Sequence, residues 1–183
     1  MDLQLTVPCA VVSTQPIRPI LKHIGDSRQS VVCDVSGGVP AIIYWGAALN
    51  AASLANLDAI ATATLRPSMP GVTDAINAIS LVPCHGDGAT MRPGIGGHRP
   101  GGRHWAPRFS FVSCEVVDQQ LISIARDDVA QLELETKLVC SAWGTLHATA
   151  MLRNIGESRY LLTNLTITLP VIGSATQLLT FSG

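Results

Sequence analysis

The most regular hydrophobic pattern lies in the C-terminal half. Leu132, Leu134, Thr136, Leu138 and Cys140 alternate with Glu133, Glu135, Lys137 and Val139. A period of two predicts a strand with one buried and one wetted face. Trp143-Gly144 turns the chain, and Leu146, Ala148, Ala150 and Leu152 then alternate with Thr145, His147, Thr149 and Arg153. Asn154-Ile155-Gly156-Glu157 is a second turn signal, and Tyr160–Leu169 reads as a third strand. Strand, turn, strand, turn, strand predicts an antiparallel meander.

Upstream, Arg108–Val117 and Gln120–Arg126 also read as strands, with Asp127-Asp128 as the break before the meander. Ser30–Val35 and Pro40–Trp45 form an earlier pair around Ser36-Gly37-Gly38, and Leu3–Ser13 is a further strand candidate. One segment has helical spacing: Asn50 as cap, then Leu54, Leu57, Ile60 and Ala61, ended by Arg66-Pro67. About eight strands and one short helix predict a mainly-β antiparallel sandwich, a single domain over residues 1–183.

Composition sharpens this picture. Charged residues are 14% of the chain, against a usual figure of about 25%. With a mean hydropathy of +0.33, so little charge suggests that much surface is covered, by a sister copy or by the rest of a larger protein. A net charge of −1 supplies no global attraction to nucleic acid or to an anionic membrane, and neither is expected as a partner. Two uncharged stretches, between Asp34 and Asp58 and from Leu161 to Gly183, are long enough to cross a bilayer. Their Ser, Thr, Asn, Gly and Pro content suits half-buried strands instead. The start, Met-Asp-Leu-Gln, has no basic region and Pro8 interrupts its apolar part, so no signal peptide is expected. Cys9, Cys33, Cys84, Cys114 and Cys140 are odd in number and include no C-x-x-C pair. That pattern favours reduced, mostly buried thiols and a cytoplasmic location.

The stretch from His85 to Arg108 breaks the pattern. It is rich in Gly and Pro and carries Arg92, Arg99, Arg103, Arg108, His85, His98, His104 and Trp105, opposed only by Asp87. An irregular loop of this length in a compact domain tends to be functional or disordered. Its chemistry is not that of a phosphate cradle: Gly94-x-Gly96-Gly97 is not G-x-G-x-x-G, and no G-K-[ST] follows. Cys84, His85, His98 and His104 lack the close ligand pairs of a structural zinc site, so no metal or other cofactor is expected. No G-x-S-x-G nucleophile elbow occurs, and nothing in the sequence selects a catalytic pair from the scattered carboxylates. Trp45, Trp105 and Trp143 have faces that match the apolar face of a pyranose. A Trp in a sandwich is expected in the core, and Trp105, beside the Arg-rich loop, is the best exception.

Read in order, these segments resemble the N-terminal domain of the α-galactosidases of glycoside hydrolase family 36. The pieces are Val39-Pro40-Ala41-Ile42-Ile43-Tyr44-Trp45-Gly46, Ser80-Leu81-Val82-Pro83, Arg92-Pro93-Gly94-Ile95-Gly96-Gly97-His98-Arg99 and Trp105-Ala106-Pro107-Arg108-Phe109. Leu152-Arg153-Asn154-Ile155-Gly156 with Tyr160, and Leu169-Pro170-Val171 leading to Leu178–Gly183, complete the series.

The resemblance implies an antiparallel β-supersandwich preceding a (β/α)₈ barrel that holds the catalytic aspartates of a retaining mechanism. The barrel is expected downstream of Gly183, so no catalytic residue is expected in this chain. The resemblance also implies a homo-oligomer in which an N-terminal-domain loop reaches a neighbouring subunit's active site. The matching loop is Cys84 to Arg99. It departs from the family pattern at Cys84, where an acidic residue is common, and at Ala89-Thr90-Met91, where an aromatic is common. Arg92, His98 and Arg99 match, and with Trp105 they are the candidate substrate or interface residues. An α-galactoside is then touched at most by loop contact. Two other readings remain: a free-standing sugar-binding sandwich that uses Trp105 and nearby arginines, and a structural assembly domain.

Overall fold

The computed structural model describes residues 19–64, 79–88, 91–171 and 176–177. The strand candidate Leu3–Ser13, Cys9, the helix stop at Arg66-Pro67 and the Leu178–Gly183 segment lie outside the described residues. Among the described residues the chain is mainly β, with antiparallel sheets and two short helices.

The first sheet has the order β1-β2-β3, formed by β1 (Leu21–Gly25), β2 (Gln29–Asp34) and β3 (Ala41–Ala47). β1, which the sequence reading missed, pairs along its whole length with β2, Leu21 facing Asp34 and Gly25 facing Ser30. Its five residues are too few to establish a period. The turn expected at Ser36-Gly37-Gly38 joins β2 to β3: Gly38 adopts φ 92°, a left-handed value open to glycine. The second sheet is a four-stranded meander of β5 (Ser110–Val117), β6 (Gln120–Asp127), β7 (Leu132–Cys140) and β8 (Leu146–Asn154). Between them, in chain order, lies β4 (Ile95–His98), which pairs with β9 (Leu161–Leu165) as a separate two-stranded ribbon.

One apolar core joins the first sheet to the meander. Ile24, Val31, Cys33, Val35 and Ile42 pack with Leu121, Ala125, Leu132, Leu134 and Leu138, and Leu81, Val82, Ile95 and Phe109 belong to the same cluster. The alternation read from Leu132 to Cys140 is therefore real: Leu132, Leu134, Thr136, Leu138 and Cys140 all point inward. Each fully buried leucine contributes roughly 1.5–3 kcal/mol relative to an exposed one. On the outer face Glu133 is less exposed than its register suggested. Arg126 (2.7 Å) and Arg153 flank it from the neighbouring strands. The hydrogen bond from Arg126, reinforced by the charge of Arg153, lowers its pKa. The stabilisation from this triad is thus present above the ordinary carboxylate range and is lost as pH falls through the lowered value.

Three expectations need correction. The helix is two helices, α1 (Ala51–Leu54) and α2 (Leu57–Thr64). Asn50 caps the first through Ser53 N, but Asn56 then accepts from Ala59 N and starts a second. The segment after Asn154 does not add a strand to the meander. It leaves β8 through the 155–160 turn and pairs with Ile95–His98 instead. Finally, not every tryptophan outside the loop is core. Trp45 packs against the core cluster, whereas Trp143 is 88% exposed at the β7–β8 turn.

Among the described residues no helix is long and apolar enough to cross a membrane. Cys33, Cys84, Cys114 and Cys140 are all free thiols. Desolvation pushes the Cys33 and Cys84 thiols up to about 12. We expect both to react with an alkylating reagent at mildly alkaline pH at least ~100-fold more slowly in the native chain than in guanidinium, because buried neutral thiols are poor nucleophiles. Peptide mass mapping checks this, and equal native and unfolded rates at Cys84 would contradict the packing described.

Candidate functional site

The Gly/Arg-rich stretch is more ordered than its composition suggested. It contains a 3₁₀ turn over His85–Asp87, strand β4, and a second 3₁₀ turn over Pro100–Gly102. The glycines in and just before β4 allow close approach. A Cβ on Gly97 would lie 2.5 Å from both Leu161 O and Tyr160 Cε1. A Cβ on Gly94 would lie 2.8 Å from Val82 Cγ1 and 2.9 Å from Thr166 O. These positions serve the seating of β9 and Tyr160.

Arg99 is the centre of this arrangement. It is 3% exposed, and its planar donor fork is fully engaged. Nε donates to Ala130 O at 3.0 Å, and Nη2 to Ala130 O (2.6 Å), Gln131 O (3.2 Å) and Asn154 Oδ1 (2.9 Å). Nη1 donates to Ser158 Oγ at 2.9 Å and to Ser158 O. The guanidinium carbon also stands 5.9 Å from the Tyr160 ring centroid, within cation–π range. All the acceptors are neutral. The residue therefore ties the loop to two turns, one between β6 and β7 and one after β8. The buried carboxylate of Asp127 is occupied elsewhere. It accepts from the backbone N–H groups of Arg108 (2.8 Å), Val129 (2.9 Å) and Ala130 (2.8 Å), an Asx-type turn that confirms the break expected at Asp127-Asp128.

The other sequence candidates sit around this anchor with different exposure. His98 is half-buried, its Nδ1 2.9 Å from Arg99 O. Since a carbonyl only accepts, Nδ1 carries the proton and the ring is oriented by that bond. Arg92 is solvent-exposed. Trp105 is 61% exposed, and its ring meets that of His85 at 5.8 Å and 58°. Arg103 turns back on Pro100 O at 3.3 Å, and Arg108 lies 3.9 Å from Asp87. Burial pushes the Asp87 carboxyl above its ordinary range, with Arg108 opposing. The loop thus divides in two. Arg99 is withdrawn into the domain, while Arg92, Trp105 and Arg108 are displayed. Among the described residues no three His, Cys, Asp or Glu side chains gather as a metal would require.

Sequence reasoning missed the partners that make Arg99 a brace: Asn154, Ser158 and the carbonyls of Ala130 and Gln131. Backbone carbonyls carry no residue-type signal. Asn154 is visible as a turn residue and as part of the Leu152–Gly156 piece of the resemblance, not as a partner of Arg99.

Residues 38–183 match the glycosyl hydrolase family 36 N-terminal domain. An α-galactosidase of Escherichia coli is 31% identical over 142 residues, covering 78% of this chain and 19% of that enzyme. The crystal structure of the family 36 α-galactosidase AgaB from Geobacillus stearothermophilus shares the fold with a TM-score of 0.55 at 18% identity, covering 79% of this chain and 23% of that one. The chain thus spans about a fifth of the length of these relatives. It belongs to the glycosyl hydrolase family 36 N-terminal domain family.

Proposed function

We propose that this chain is the non-catalytic N-terminal domain of an α-galactosidase that hydrolyses terminal α-galactosides of the melibiose or raffinose type. In this reading the domain supports a catalytic barrel and the assembly of a homo-oligomer, and it works in the cytoplasm. The observation that carries the reading is the family match over residues 38–183, together with relatives several times longer than this chain. The braced loop suits that role. A buried arginine locks its base, so that Arg92, Trp105 and Arg108 are offered outward from a fixed support.

The purified chain is expected to release no nitrophenol above background from an aryl α-galactoside, since retaining hydrolysis needs two carboxylates held about 5 Å apart across the bond. Robust turnover would refute the proposal. Reading the coding sequence beyond Gly183 is the direct complement: strand–helix alternation with aspartates at strand ends is the expected result.

The exposure of Trp105 favours a second reading, a sugar-binding sandwich. Raffinose titration of the chain discriminates: binding lost on Trp105→Ala supports the second reading.

A further inference from the structure

We propose that the β7–β8 turn, separate from the Gly/Arg loop, is a weak carbohydrate contact with Trp143 as its platform and a hexopyranose as its ligand class. Trp143 is 88% exposed, unusual for a residue that is mostly buried in folded chains. The turn that presents it is closely held. Ser141 N donates to Thr145 O at 2.9 Å, and Gly144 N to Ser141 O at 3.0 Å. Trp143 N and Thr145 N both donate to Ser141 Oγ, at 3.3 and 3.2 Å. Gly144 takes φ 80°, which a side chain would resist. A strut comes from a distant part of the chain: Arg28, in the β1–β2 turn, donates from Nη1 to Ala142 O at 2.5 Å. The indole is therefore held out in water by an ordered frame.

The surroundings select the ligand. A protein anchor would be ringed by further apolar side chains. Here the neighbours in sequence are Ala142 and Gly144, small enough to leave the ring accessible. Beyond them runs a chain of hydrogen-bonding groups, Ser141 Oγ to Thr145 Oγ1 (2.6 Å) to His147 Nε2 (3.1 Å). Arg28, whose head is exposed, adds further donors. An exposed indole on a turn that also carries hydroxyl and imidazole groups and receives a guanidinium matches a sugar ring, apolar on its C–H face and polar at its edge.

The site is distinct from the loop. Arg99 binds the chain beside Asn154, at the Leu132 end of β7, and Trp143 follows its Cys140 end. Nine-residue strands separate the two by about 27 Å.

The test is a raffinose titration of the chain to tens of millimolar, read by saturation-transfer NMR and indole fluorescence. We expect millimolar binding, weakened about tenfold by Trp143→Ala and also weakened by Arg28→Ala, while Trp105→Ala leaves the Trp143 contact intact. Since Trp143 is exposed, its variant folds, which circular dichroism checks. Absence of binding by the wild-type chain overturns the proposal. So does binding that Trp105→Ala abolishes and Trp143→Ala leaves unchanged. A fall in light-scattering mass on Trp143→Ala, with sugar affinity unaltered, also overturns it and makes the ring an anchor between copies.

Discussion

Replacing Arg99 by methionine is expected to destabilise the chain by about 3–5 kcal/mol, since an unsatisfied buried acceptor costs about 1–3 kcal/mol and this change abandons several at once. The side chain makes six donations to five acceptor atoms. Ser158 and Asn154 lie in exposed chain and regain water, so the full sum is not reached. Ala130 is 1% exposed, and its carbonyl loses two bonds with no replacement. Arg99→Lys is expected to recover only part of the loss, because an ammonium offers three donors from one point and cannot span Ala130, Asn154 and Ser158. Urea unfolding gives the measurement: a lower midpoint with an unchanged slope. A loss below about 1 kcal/mol for Arg99→Met would show that the fork is dispensable. For a domain of total stability about 5–15 kcal/mol, the expected loss is a large fraction of the whole. Hydrogen exchange should quicken first at Gly156 N, which donates to the Asn154 oxygen that Arg99 also holds.

Gly97→Ala is the second change with a large expected effect, about 2–4 kcal/mol. The added Cβ would sit 2.5 Å from the carbonyl oxygen of Leu161 and 2.5 Å from the Tyr160 ring. The first is backbone and the second is held between β4 and Arg99, so neither yields cheaply. Relief requires β4 to part from β9, where Gly97 faces Leu162 in register. Gly37→Ala is the control: nothing lies within 4 Å of its added Cβ, and the expected change stays within about 0.5 kcal/mol. Equal stability of the two variants would contradict the close seating of the ribbon.

These two residues show where sequence reading stopped. Arg99 was legible as a candidate substrate or interface residue of the loop, and the glycines as permissive backbone. Their purpose was not legible. Arg99 acts on carbonyls that lie 31 and 59 residues away, and Gly97 on a strand that the alternation pattern assigned to the meander. Trp143 gave the converse lesson. Its residue type predicted burial, and its placement on a two-ended turn put it in water.

Sequence alone determined the mainly-β class, the turns at Gly37-Gly38, Asp127 and Gly144, and the inward face of β7. These follow from local rules: side-chain period, turn chemistry and burial of the apolar face act between near neighbours. Tertiary structure decided which strands pair and which arginine is withdrawn. The Leu161–Leu165 segment is equally able, by its own pattern, to extend the meander or to form a ribbon elsewhere. The choice rests on long-range terms, the close approach that Gly96 and Gly97 permit and the three bonds with which Arg99 holds the intervening turn at Asn154 and Ser158. Such terms are summed only when distant parts of the chain meet, so no local reading of the residues contains them.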